Sequence, residues 1–373
     1  MNANRLTVVQ LLPALEAGGV ERSTLEIAGA LVQAGHRAIV VSKGGRLLSQ
    51  LQAIGAEHVQ LDIGRKSPLA FRHVPALRKL FAQAQADIVH ARSRLPAWLA
   101  WFALRGMPES SRPHFVTTAH GLNSPSHYSA IMARGERVVC VSKTVRDYLL
   151  AHYPKLDPSR LVVIPRGIDP ARFPCRPWPD RDARDAIAKQ HSALGGNGPL
   201  LLLPGRGTRL KGHADALRLL ARLRGEGLDA RLWMPGAREA GREAYIAEME
   251  SLLQALGIAG AVAMTPPTEA IAQAYAASDL VLQLSRKPEA FGRTVVEALS
   301  VGRAVLGWDH GGVGELLHEL QPEGAVAPFD EDALAARARA LLAQAPSPPA
   351  TIPYTLHAMQ EATLALYAGI VRG

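Results

Sequence analysis

Short apolar runs alternate with amphipathic stretches from the start of the chain. Strands are expected over residues 6–12, 37–42, 58–63, 87–91, 114–119, 137–142 and 161–165, with helix-like segments between several of them. Near-continuous Val, Ile and Leu strands that alternate with helices call for a parallel sheet covered on both faces. Around 174–199 the texture changes to Pro, Gly and charged residues, which reads as a linker. A second series follows, with strands near 200–203, 231–234, 262–264, 280–284, 304–307 and 325–328. Helices are expected over 212–224, 239–256, 268–277, 293–301 and 331–343. After a Pro-rich spacer, 354–371 has the pattern of one amphipathic helix. The expected organisation is a doubly wound domain over 1–177, a second over 178–353, and a terminal helix over 354–373.

At 373 residues and 48% apolar content, the chain is long enough for two well-cored domains. Its two cysteines, Cys140 and Cys175, give no disulfide framework, and no Cys/His cluster has zinc-site spacing. The strongest apolar run, 98–104, is far short of the roughly 20 residues of a membrane-spanning helix, and the N-terminus makes a poor signal peptide. A cytoplasmic protein is expected. Net charge is +9, but residues 1–177 hold 23 Lys and Arg against 11 Asp and Glu, while the remainder is slightly acidic. The first half is therefore expected to meet something anionic: a phosphorylated substrate, an anionic membrane or a nucleic acid.

In open α/β sheets ligands bind beyond the carboxyl ends of the strands. Gly18-Gly19 follows the first strand and precedes a helix, a turn that lets backbone N–H groups approach an anion. In the second half Arg206 follows a strand and Lys211 comes just before a helix; together they suit a diphosphate. The segment Lys287-Pro288-Glu289-Ala290-Phe291-Gly292-Arg293-Thr294-Val295-Val296-Glu297 sits between an apolar strand and an apolar helix face. Each of its glutamates can accept a pair of sugar or ribose hydroxyls, and the backbone of Ala290, Phe291 and Gly292 faces the same ligand. The strand ends of the first half also carry Lys43, Arg65, Lys66, Arg92, Arg94, Lys143 and Arg166, a series suited to an acceptor bearing phosphates or carboxylates.

Taken together, Gly18-Gly19-Val20-Glu21-Arg22, Thr118-Ala119-His120-Gly121, Val141-Ser142-Lys143, Ile164-Pro165-Arg166-Gly167-Ile168-Asp169, Gly205-Arg206 with Lys211-Gly212, the Glu289-to-Glu297 motif, and Gly311-Gly312 with Glu315 resemble the family 4 retaining glycosyltransferases of the GT-B fold. The chain departs from the family pattern at Arg166, where Asn is common, and at Pro266-Pro267, where Gly is usual. The resemblance implies two Rossmann-like domains facing across a cleft, a terminal helix over 354–373 that returns to the first domain, and a nucleoside-diphosphate sugar of UDP or GDP type as donor. It implies that Arg206 and Lys211 meet the diphosphate, Glu297 the ribose, and Glu289 with the 290–292 backbone the transferred sugar. Gly18-Gly19 back the phosphates and His120 approaches the sugar. Catalytic roles are thereby expected for Glu289 and His120, with no metal and no cofactor.

The segment from His90 to Trp98 is similar to that of lipopolysaccharide-core and related cell-envelope glycosyltransferases, which implies an anionic glycolipid acceptor at the cytoplasmic face of the inner membrane. Two stretches suit a membrane surface. Residues 65–79 mix Arg72, His73, Arg78 and Lys79 with Leu69, Phe71 and Leu77; residues 98–104 hold Trp98, Trp101, Phe102 and Leu104, and their spacing favours a helix packed on the sheet. Rival functions fare worse. A nucleotide-sugar epimerase or another GT-B enzyme shares the fold. A dehydrogenase lacks its G-x-G-x-x-G turn, and no nucleic-acid-binding signature accompanies the positive charge.

Overall fold

The computed structural model describes residues 5–16, 18–65 and 67–372. It divides into two compact units, Met1–Gly167 with Leu356–Gly373, and Ile168–Thr355.

The first unit holds a seven-stranded parallel sheet in the order β3-β2-β1-β4-β5-β6-β7. Its strands are β1 (Thr7–Leu11), β2 (Arg37–Ser42), β3 (Glu57–Gln60), β4 (Ile88–Ala91), β5 (His114–Ala119), β6 (Arg137–Cys140) and β7 (Leu161–Val163). The helices are α1 (Gly19–Gln33), α2 (Leu48–Ala53), α3 (Val74–Gln83), α4 (Arg94–Arg105) and α5 (Lys143–His152). Successive strand residues point to opposite faces. Val9, Leu11, Ile39 and Val41 therefore pack with Leu77 and Phe81 of α3 and Leu99 and Ala103 of α4. Val8, Leu12 and Val40 pack on the other face with Ile27 and Leu31 of α1 and Tyr367 of the terminal helix.

The second unit holds a six-stranded parallel sheet in the order β10-β9-β8-β11-β12-β13. Its strands are β8 (Leu200–Leu202), β9 (Arg231–Pro235), β10 (Val262–Thr265), β11 (Leu280–Gln283), β12 (Ala304–Trp308) and β13 (Ala325–Val326). The helices are α6 (Arg181–Gln190), α7 (His213–Gly225), α8 (Glu243–Ala255), α9 (Ile271–Ala277), α10 (Arg293–Ser300), α11 (Gly311–Leu320) and α12 (Glu331–Ala343). The terminal helix α13 (Leu356–Arg372) belongs to the first unit.

Two boundaries differ from the sequence expectation. The first unit ends at Gly167, not at 177, because residues 168–176 are tied to the second unit. The Ile168 N–H donates to the Tyr354 carbonyl (2.9 Å), the Arg176 N–H to Val301 O (3.2 Å), and Ser300 Oγ to Phe173 O (2.7 Å). The segment 174–199, expected as a linker, contains α6. Asp180 caps it by accepting the Ala183 N–H at 3.0 Å, and Ala183 and Ile187 bury its inner face.

Both sheets have their topological switch at the strand pair where the order reverses, β1/β4 in the first unit and β8/β11 in the second. Loops that leave the carboxyl ends of such a pair diverge and leave a crevice.

Candidate functional site

In the second unit the loops after β8 and β11 meet at the switch point. The loop after β8 is laced onto β9, with Gly205 N–H donating to Pro235 O (3.0 Å) and Gly207 N–H to Gly236 O (2.9 Å). It ends at Gly212, whose φ of +75° is left-handed; a Cβ there would collide with the Leu284 carbonyl oxygen at the end of β11. That close approach brings Lys211 to the β11 loop. Lys211 Nζ donates to Glu289 Oε1 at 2.6 Å, and Ser285 Oγ donates to the same oxygen at 2.5 Å. The Glu289 carbonyl accepts the Gly312 N–H at 2.7 Å, which fixes the loop to the start of α11. Arg206 is exposed on the β8 loop and makes no ion pair among the described residues.

Gly292 precedes α10, and Glu297 lies one turn inside it, half-buried. Tyr275 of α9 donates its hydroxyl to Glu297 Oε2 at 2.9 Å, and Arg293 Nε donates to Glu297 Oε1 at 3.0 Å. Burial and the neighbouring carboxylate push the Tyr275 hydroxyl well above its ordinary pKa, so it stays a donor. The Phe291 ring is buried against Tyr354, 5.6 Å between centroids, which leaves its backbone as the part that can meet a ligand. The arrangement thus brings cations (Arg206, Lys211), two carboxylates (Glu289, Glu297) and the N-terminus of α10 to neighbouring loops of one sheet edge. Charge-assisted donors and a helix N-terminus of this kind favour phosphate, and the carboxylates favour hydroxyls.

The first unit carries its own set at the carboxyl edge of its sheet. Gly18-Gly19 open α1 and His120 follows β5. Arg166, in the segment after β7, reaches both: its Nη1 donates to Gly19 O (2.7 Å) and its Nη2 to His120 Nδ1 (2.9 Å). A Cβ on Gly19 would lie 2.7 Å from that Nη1, so a larger residue there would displace the guanidinium. With Nδ1 accepting, the ring proton of His120 sits on Nε2, which is buried without a hydrogen-bond partner among the described residues. Burial, then Arg166, Arg92 and His90, hold its pKa well below 6.5. The imidazole is thus a neutral N–H donor, unsuited to act as a general base through Nδ1.

The cations expected for an acceptor separate into groups. Lys43, Arg65 and Lys143 are exposed at the carboxyl edge. Arg92 is not on that surface: it is only 4% exposed, with Nε donating to Gln10 Oε1 (3.2 Å) and Nη2 directed to Ser23 O (3.4 Å). It lines a small cavity with His90, Thr118, His120 and Arg166. Arg94 is held by Ser129 Oγ (3.2 Å) and lies over the Tyr128 ring. Arg166 is occupied by Gly19 and His120, as above. Lys66 lies outside the described residues. Tyr275, Ser285 and Arg293 escaped the sequence reading. Arg293 stands four residues before Glu297 on one helix face, a spacing that signals an ion pair, whereas the Tyr275 and Ser285 contacts come from tertiary packing.

Residues 17–172 match Glycosyltransferase Family 4, and residues 185–356 match Glycosyl transferases group 1. The chain therefore belongs to the glycosyltransferases of GT-B fold, with one doubly wound domain of each kind. A solved glycosyltransferase from Rickettsia africae is 27% identical, covers 99% of this chain and 100% of its own, and superposes with a TM-score of 0.86. Anabaena HepE, solved in complex with UDP-glucose, is 19% identical with a TM-score of 0.79, covering 98% of this chain and 100% of its own. Among curated proteins, D-inositol 3-phosphate glycosyltransferase of Rhodococcus opacus is 29% identical over 61% of this chain and 53% of its own length. The chain spans about half the length of the curated relatives it matches.

Proposed function

We propose that this protein transfers a sugar, with retention of anomeric configuration, from a nucleoside-diphosphate sugar to an anionic acceptor. The observation that carries the donor half is the meeting of Lys211 and Glu289 at the β8/β11 switch point. Arg206 and Lys211 bind the diphosphate, and Glu297, oriented by Tyr275 and Arg293, takes the ribose hydroxyls. Glu289 and the 290–292 backbone take the transferred sugar; in the first unit the His120 Nε2–H is the donor suited to a sugar oxygen.

In the proposed reaction the anomeric carbon–phosphate oxygen bond breaks and its electron pair leaves with the nucleoside diphosphate. The acceptor hydroxyl forms its bond on the same face, and its proton passes to the departing phosphate oxygen. Arg206, Lys211 and the α10 N-terminus stabilise the growing negative charge. This assigns charge neutralisation to side chains and needs no metal. Glu289, already paired with Lys211, serves as a hydroxyl ligand rather than a nucleophile.

The acceptor proposed is a phosphate-bearing glycolipid of the cell envelope, of lipopolysaccharide-core type, reached at the cytoplasmic face of the membrane. The cations Lys43, Arg65 and Lys143 support an anionic acceptor. The similarity to D-inositol 3-phosphate glycosyltransferases favours a phosphorylated polyol as a second acceptor class. The test is nucleoside-diphosphate release from UDP- and GDP-sugars with each acceptor class, and proton NMR of the product's anomeric centre. Retained configuration supports the mechanism; an inverted product, or release that ignores every anionic acceptor, opposes it.

A further inference from the structure

The two stretches that the sequence separates, residues 65–79 and 98–104, converge on one surface of the first unit. Phe71, in a 3-10 turn before α3, meets Phe102 of α4 edge-to-face at 5.5 Å. Phe102 stacks on Trp98 (5.8 Å) and meets Trp101 (5.0 Å). Leu99, Ala100, Ala103 and Leu104 on the other side of α4 are buried in the core. The helix thus presents a core face and an aromatic outer edge. Leu69 is 64% exposed, Phe71 43% and Phe102 40%. Tyr128, whose carbonyl accepts the Trp98 Nε1–H at 3.0 Å, extends the patch and is also exposed.

Arginines surround these rings. Arg105 lies over Trp101 at 4.6 Å; Arg134 lies 5.3 Å from the Trp98 centroid and 5.0 Å from that of Trp101. Residues 65–105 hold eight Lys and Arg, of which Arg92 is buried, against a single acid, Asp87. That one acid is engaged, its Oδ2 accepting the Thr7 N–H at 2.7 Å.

We propose that this aromatic and arginine surface docks the first unit on a bilayer rich in anionic lipid headgroups, with Leu69, Phe71 and Phe102 entering the headgroup–acyl boundary. The proposal rests on the glycolipid acceptor proposed above and names the surface by which the protein reaches it. Tryptophan and tyrosine suit the interface because one end of each ring is apolar and the other polar. Guanidiniums held over indole faces stay at headgroup depth, where each basic side chain gains from anionic lipid. A nucleic acid would meet the same positive charge. However, exposed Leu69 offers no stacking plane, and the rings pack on one another rather than standing apart as platforms for bases.

The test uses the full chain and vesicles of phosphatidylcholine, with and without phosphatidylglycerol, in a co-sedimentation assay. Phosphatidylglycerol contains no glycolipid acceptor, so vesicle binding reports the surface alone, while turnover with the glycolipid reports the acceptor assignment. The wild type is expected to sediment with the anionic vesicles and to be released by salt. The double variant Phe71→Ser, Phe102→Ser is expected to bind at least about tenfold more weakly, from the lost apolar burial. Arg105→Gln with Arg134→Gln should reduce the preference for the anionic vesicles. Both variants should keep the wild-type donor-induced stabilisation, since neither pair touches the donor loops, while the lost ring and cation–π contacts lower the melting temperature by a few degrees. Absence of wild-type binding to anionic vesicles, binding that both variants retain in full, or preferential capture of single-stranded RNA over the vesicles would overturn the proposal.

Discussion

Arg166 Nη2 donates to His120 Nδ1 at 2.9 Å, while Nη1 of the same guanidinium donates to Gly19 O at 2.7 Å. One planar side chain therefore joins the glycine turn after β1 to the imidazole after β5, in a chain whose family resemblance would place an asparagine there. A guanidinium has no acceptor, so the contact fixes the imidazole with its proton on Nε2. It also disfavours a second proton on the ring, together with burial, Arg92 and His90.

Replacing Arg166 with Gln should raise the pKa of His120, because one of the charges opposing protonation is gone. The acid limb of the pH–rate profile should move upward, and kcat should fall more than KM rises. Ring resonances of His120 followed by NMR would check this directly. An unchanged profile and unchanged ring shifts would show that the arginine only braces the fold.

The Lys211–Glu289 pair should make donor binding depend steeply on the lysine. In the proposed binding mode, Lys211→Ala removes a charge-assisted contact to phosphate, and it releases Glu289 from its partner. Losing such a bond costs about 1.5–3 kcal/mol, or roughly 10–150-fold in donor affinity. Isothermal titration calorimetry measures it.

Tyr275→Phe tests whether Glu297 needs orientation. The hydroxyl is buried and donates to Glu297 Oε2. Its loss should cost about 1 kcal/mol of stability and weaken nucleoside-diphosphate binding several-fold, with the deficit confined to ligands that carry a ribose. Equal affinity in the variant would remove Tyr275 from the site.

Gly212→Ala should destabilise the second unit by several kcal/mol, since alanine at φ +75° is strained and its Cβ has no room beside the Leu284 carbonyl. Chemical denaturation would read this as a lower midpoint. Gly241→Ala makes a useful contrast: its φ is +79°, yet nothing lies within 4 Å of the added Cβ, so only the backbone term remains.

Acid should weaken the fold through its buried histidines. His213 is held down to about 4 from 6.5, chiefly by burial. The unfolded chain then binds the proton more readily than the folded one. Stability from this group begins to be lost as pH falls below about 6.5 and is fully lost below about 4. At pH 5 the loss is about 2 kcal/mol. His90, bonded to Tyr367 and Thr118 at 2.6 Å each, is lowered by burial and by Arg92 and acts in the same direction. The melting temperature should therefore drop between pH 7 and pH 5, and less so in His213→Asn.

The alternation of apolar runs was enough to place the strands, because buried parallel strands are apolar on both faces. Arg37–Ser42 and His114–Ala119 coincide with the expected ranges, and the others differ only at their ends. Helix α6 escaped because its apolar face is small, little more than Ala183 and Ile187, amid prolines, glycines and charges. The unit boundary escaped because residues 168–176 resemble a continuation of the first domain, and only their hydrogen bonds to Tyr354 and Val301 reveal their attachment. Among the candidate site residues, the sequence singled out Lys211, Glu289 and Glu297 through their strand-to-helix setting and the family resemblance. It did not reveal that Arg92 turns inward, since a strand-end cation has the same sequence signature whether it faces ligand or core. Nor did it reveal Tyr275, which meets Glu297 from another helix.

Donor binding to the wild type, Lys211→Ala and Glu297→Gln tests the donor site best, by thermal shift and then calorimetry, with UDP, GDP, ADP, CDP and their sugar conjugates. A ligand at 100 times its dissociation constant stabilises the native state by about 2.7 kcal/mol. Stabilisation by one nucleoside diphosphate and its sugar, strongly reduced in both variants, is the predicted result. Stabilisation by none of them, or by one that both variants bind as tightly as the wild type, would contradict the assignment of the β8/β11 loops as the donor site.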